Sequence, residues 1–159
     1  MIVRLTKHAD GDTVLECLRP DGSSSWQRQQ RRRAAFFPLH DLTHFAIETE
    51  LGFRSGFYGL IAAGWEIDDT TGKGKQGRLP PEALTVEHLV GAFDLERAGS
   101  VTWTATELND QARAFASERR LPPPRSLTDD DLSRVRSRLL DLVGQWQALP
   151  AGEALELSF

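Results

Sequence analysis

Apolar and polar positions alternate from the first residues of the chain. Over Ile2–Lys7, Val3 and Leu5 share one face and Arg4 and Thr6 the other, which is the two-residue period of a strand. Asp10-Gly11 is a hairpin signal, and Thr13 to Arg19 alternates as a second strand. Pro20-Asp21-Gly22 turns the chain again, and Ser24 to Gln29 forms a third, short strand. A bare three-stranded meander is not stable without something on its apolar face. The rest of the chain must supply that cover.

The pattern then lengthens to the period of helices. Pro38 is a favoured first-turn residue and opens a helix that runs to about Leu51, where Gly52 is the stop signal. Leu39, Leu42, Ala46 and Ile47 form its inward stripe. Gly56 to Trp65, with Ser55 as its N-cap, is apolar nearly all round and predicts a buried helix. Asp68 to Pro81 reads as a loop. A third helix is predicted over Thr85 to Arg97, with Val86, Leu89, Val90 and Phe93 inward. Thr104-Ala105-Thr106-Glu107 fits a capping box and starts a fourth helix that ends before Pro122-Pro123-Pro124. Thr128 caps a fifth, and Asp129, Asp130 and Asp131 suit its positive N-terminal end. Leu155, Leu157 and Phe159 alternate as a last strand, which most simply joins the N-terminal sheet. The elements predict one α+β domain over residues 1–159. In it, the N-terminal meander and the C-terminal strand form an antiparallel sheet packed against about five helices.

Composition narrows the setting. The 159 residues suffice for one hydrophobic core without disulfides. No apolar run is long enough to span a bilayer, so no membrane role is expected, and charges inside Met1–Lys7 argue against a secretory signal there. The single cysteine, Cys17, excludes an internal disulfide and a multi-cysteine zinc site, and points to a reducing, cytoplasmic location. The net charge of −4 argues against broad nucleic-acid binding. The charge is uneven: residues 1–37 hold seven Lys/Arg and four Asp/Glu, a net +3, which leaves −7 for the remainder. Arg28, Arg31, Arg32 and Arg33 form the one basic cluster. It would suit an acidic partner, although a solvated strand end is the plainer reading.

The chemistry concentrates in Pro38-Leu39-His40-Asp41-Leu42-Thr43-His44. Residues four apart lie one above the other on a helix, so His40 and His44 can direct two imidazoles at one ion. Glu48 continues the same line and is the first choice of third ligand by spacing, with Glu66 and His88 as alternatives. The rise of about 12 Å from His40 to Glu48 strains ligation by all three. His88 is expected to face solvent. Zinc accepts imidazole nitrogen and carboxylate oxygen, and a catalytic site keeps one position open for water. Asp41 stands where the Glu of H-E-x-x-H acts as general base. The expectation is a divalent-metal site, with zinc the first candidate, serving a metal-dependent hydrolase. The competing expectation is a non-enzymatic module that binds a small molecule or a protein, with the histidines lining a polar pocket. Gly72-Lys73-Gly74-Lys75-Gln76-Gly77 matches a dinucleotide fingerprint in letters only: no strand precedes it and Pro80-Pro81 follows it. A flexible loop, which could serve as a mobile lid over the site, is the expected reading. Phe57, Trp65 and Trp103 are aromatic candidates for a pocket wall, though each is more often plain core.

These residues resemble a group of small uncharacterised bacterial proteins that share an H-D-L-x-H-x-x-x-E segment followed by G-F-x-G-x-x-A-x-G. Here the two segments are His40–Glu48 and Gly56–Gly64. The resemblance covers roughly residues 36–66 and carries no reaction with it. The H-D-x-x-H segment is also similar to that of a ubiquinone-biosynthesis scaffold family, which adds a Glu twelve residues after the second His. Gly56 stands at that position here. The His40-Asp41 doublet looks like that of HD-domain phosphohydrolases. Those take a further His from an upstream helix, whereas the only upstream histidine of this chain, His8, falls at a predicted strand end.

Overall fold

A computed structural model describes residues 1–30, 33–71 and 77–159, with Thr71 as backbone only. In chain order the elements are β1 (Ile2–Lys7), β2 (Thr13–Leu18), β3 (Ser24–Gln29), α1 (Phe37–Leu51) and α2 (Phe57–Ala62). A 3₁₀ turn (Ile67–Thr71), α3 (Pro81–Gly99), α4 (Ala105–Glu118), α5 (Asp129–Ala148) and β4 (Ala154–Ser158) complete the fold. The four strands form one antiparallel sheet in the order β3-β2-β1-β4. This is the predicted α+β architecture.

The register sorts the sheet's two faces. Val3 lies between Cys17 and Leu157, and Leu5 between Leu15 and Leu155, so the apolar residues of three strands form one buried surface. On the opposite face Arg4 lies between Glu16 and Glu156 and pairs with both, at 2.8 and 2.7 Å. A one-residue slip would exchange the two faces, and this fixes the register.

The helices cover the apolar face. The buried side chains of the sheet and of α1, α3, α4 and α5 belong to one core cluster. Helix α1 packs against both α3 and α5. Every residue from Asp41 to Glu48 is therefore buried, not only the stripe of Leu42, Ala46 and Ile47. Those eight positions include Asp41, His44 and Glu48, so three titratable groups lie inside the protein. Both capping boxes form: Thr104 and Glu107 cap α4, and Thr128 and Asp131 cap α5.

Three boundaries differ from the sequence pattern. Helix α2 has six residues and ends at Ala62 rather than Trp65, because Gly64, at φ 100°, turns the chain and the Trp65 N–H closes back on the Leu60 carbonyl at 3.0 Å. Ser55 is not its cap; Gly56 holds that position, and the Ser55 N–H donates to the Glu82 carboxylate. Helix α3 begins at Pro81, four residues before the predicted Thr85, since Pro81 occupies the first turn, where its missing N–H costs nothing. The G-x-G-x-x-G segment lies almost wholly outside the described residues, as do Arg31 and Arg32. Arg28 forms ion pairs with Asp10 and Asp12, both at 2.8 Å, so that part of the basic cluster is already neutralised. Among the described residues no helix is long and apolar enough to cross a membrane.

Candidate metal centre

Helices α1 and α3 together build the site. His40 and His44 project from α1 with their ring centroids 4.9 Å apart and their planes near perpendicular. Glu87 reaches them from α3. One ligand atom from each of the three lies within 4.8 Å of the others, a cluster of two imidazoles and one carboxylate that could hold a metal ion. The Nε2 atom of His44 is 3.5 Å from Oε1 of Glu87.

A second ring of carboxylates surrounds these groups. Nδ1 of His40 lies 2.7 Å from Oδ2 of Asp94, so Nε2 is the ring nitrogen that this contact leaves open to another partner. Asp94 is seven residues beyond Glu87, two turns along the same face of α3. Arg97 donates to the other oxygen of Asp94 at 2.6 Å. Burial pushes the Asp94 carboxyl up, but the hydrogen bonds from His40 and Arg97 outweigh burial and hold it below the usual range. Nδ1 of His44 is 3.5 Å from Oε1 of Glu48, too long for a hydrogen bond, and has no other partner among the described residues. Burial works against a charge on His44, yet the nearby Glu87, Glu48 and Asp41 outweigh it and raise its pKa.

Glu48 does not join the three-ligand cluster. Its buried carboxylate accepts the N–H groups of Tyr58 and Gly59, in the first turn of α2, at 3.2 and 3.0 Å. A Cβ on Gly56 would stand 2.5 Å from Cδ of Glu48, so only glycine admits the carboxylate there. The two halves of the sequence pattern meet in this contact. The first choice of third ligand by spacing thus ties α1 to α2, and the carboxylate found beside the two histidines is Glu87, which the spacing along α1 gave no way to find.

No protein-family model, curated protein or solved structure matches this chain. What the site can do follows from its own groups. His40, His44 and Glu87 line a pocket of about 380 Å³, together with Asp41, Phe57 and Arg119. Asp41 is almost fully buried, and burial pushes its carboxyl up to about 7; His40 and His44 draw it down, while Asp94 and Glu87 add to the rise.

The remaining candidates lie elsewhere. His88 is buried, not solvent-facing, because α4 packs over that side of α3. Among the described residues neither of its ring nitrogens has a hydrogen-bond partner, and burial lowers its pKa, with Arg119 adding to the effect. Glu66 is exposed and lies 3.3 Å from Arg19. Of the three aromatic candidates, Phe57 lines this pocket, whereas Trp65 and Trp103 are not among its walls.

Proposed function

We propose that this protein binds a divalent metal ion through His40, His44 and Glu87 and uses it in a hydrolytic reaction. The observation that carries the reading is the convergence of three ligand atoms on one pocket, with His40 oriented from behind by Asp94. Two histidines and one carboxylate are a ligand set that catalytic zinc uses, with a further position left for water. Non-haem iron(II) accepts the same set. Carboxylates behind metal-bound histidines fix the ring orientation and raise ligand basicity, which is the relation of Asp94 to His40.

A bound divalent ion would lower the pKa of a water on it toward about 7. Asp41 lines the same pocket as the two histidines, which places its carboxylate to take a proton from a water there. Asp41 is therefore assigned the proton of the attacking water, and the chain's own groups supply ligands, orientation and base.

Metal analysis of untagged protein and calorimetric titration with zinc, manganese and iron(II) test the reading. Binding of one equivalent is expected, lost in His44→Ala and Glu87→Gln. Asp41→Asn should keep the metal and lose turnover in a screen of ester, amide and phosphate substrates. Absence of bound metal, with no thermal shift from any of the three ions, overturns it.

A further inference from the structure

The metal pocket also carries a clue to what enters it. Among its described lining residues Arg119 is the one arginine or lysine. No ion pair between described residues engages Arg119. In the same helical half of the protein, Arg97, Arg113, Arg125, Arg134 and Arg136 each hold an aspartate or glutamate, whereas Arg120 and Arg138, which like Arg119 have no ion pair among the described residues, do not line this pocket. A guanidinium left unpaired on the wall of a pocket is suited to a bidentate carboxylate or phosphate.

A second hollow of about 340 Å³ adjoins the first. Leu79 and Leu84 line both; Leu121, Pro81 and Pro122 give the second one mostly apolar walls, with Arg78 and Thr85 as its polar members. The end of α4 serves the two hollows at once. Arg120 has φ 55°, a left-handed conformation in a residue with a side chain, and the Leu121 N–H closes back on the Ala116 carbonyl at 2.9 Å. This turn directs Arg119 to the polar pocket and Leu121 to the apolar one. One short segment thus joins a cationic contact to an apolar one, beside the metal-ligating cluster.

We infer that the substrate is a small amphipathic anion. Its carboxylate or phosphate pairs with Arg119, and its apolar part lies on Leu79 and Leu84 toward Leu121. The inference rests on the metal reading above, since the pocket that Arg119 lines is the one that His40, His44 and Glu87 share.

The test is calorimetric titration of the metal-loaded full chain with hexanoate, hexyl phosphate and neutral hexanamide, with acetate and inorganic phosphate as short counterparts. At least one six-carbon anion should bind about tenfold more tightly than hexanamide, and more tightly than its short counterpart. Arg119→Gln should remove that preference for charge while zinc affinity stays at the wild-type value. Leu121→Ser should reduce the preference for the six-carbon chain. The anion that wins distinguishes a carboxylate from a phosphate ligand. Equal binding by wild type and Arg119→Gln, or by hexanamide and both anions, overturns the inference and leaves the metal centre standing. A chain that binds no metal overturns both.

Discussion

Nδ1 of His40 sits 2.7 Å from Asp94 on the facing helix, and Arg97 holds the far oxygen of the same carboxylate. The pair fixes which nitrogen of His40 points into the pocket. Asp94→Ala should fold, as judged by circular dichroism, but bind metal about 10–100-fold more weakly. Competition against a chelating dye measures the change. Wild-type affinity in this variant would remove Asp94 from the site.

Glu48 acts as a clasp between α1 and α2. Glu48→Ala leaves the N–H groups of Tyr58 and Gly59 without an acceptor and opens a void in the core, so a loss of about 3 kcal/mol is expected. Glu48→Gln keeps an acceptor and should lose less. Gly56→Ala drives a Cβ into the Glu48 side chain and should cost about 1–3 kcal/mol. Urea denaturation of the three variants gives the order, and a Glu48→Ala midpoint equal to wild type contradicts the clasp.

His88 is buried with both nitrogens unpartnered, and its folded pKa is lowered. The unfolded chain therefore takes up this proton more readily than the folded one. The group's contribution is complete above its unfolded pKa of about 6.5 and is lost as the pH falls through the lower folded value. His88→Leu removes an unsatisfied polar ring, so it should be neutral or stabilising at pH 7 and should flatten the fall of thermal midpoint below that pH. A steeper fall in the variant would show that His88 is satisfied in the fold.

Cys17 faces the core from β2, and burial pushes its thiol up to about 12. The thiolate is the reactive form. The native protein should resist maleimide at pH 7 and react fully once unfolded in urea. Fast labelling of the native state would contradict the placement of β2.

The features legible in the sequence are those set by near neighbours. Strand alternation in β1 and β2 depends on adjacent residues, and the caps Thr104/Glu107 and Thr128/Asp131 join positions three apart. The histidine pair of α1 was legible for the same reason. Glu87 and Asp94 were not. Asp94 is 54 residues from His40, and nothing local records where α3 crosses α1. The burial of His88 depends likewise on α4, whose Phe115 ring would lie 3.2 Å from a Cβ on Gly91, one turn beyond His88. Polar residues on α3 thus look solvated until the neighbouring helices are placed.

The position of β1 inside the sheet has a kinetic consequence. Its partner β2 is close in sequence, but β4 must return across the length of the chain, as the Arg4–Glu156 pair 152 residues apart records. Closing so long a loop adds to the entropic barrier, and folds dominated by distant pairings form slowly. Until β4 docks, β1 offers a bare row of N–H and C=O groups beside an apolar face, a ready template for another chain. A proline at Leu157 would prolong that interval, and its signature would be concentration-dependent aggregation during refolding rather than a shifted equilibrium alone.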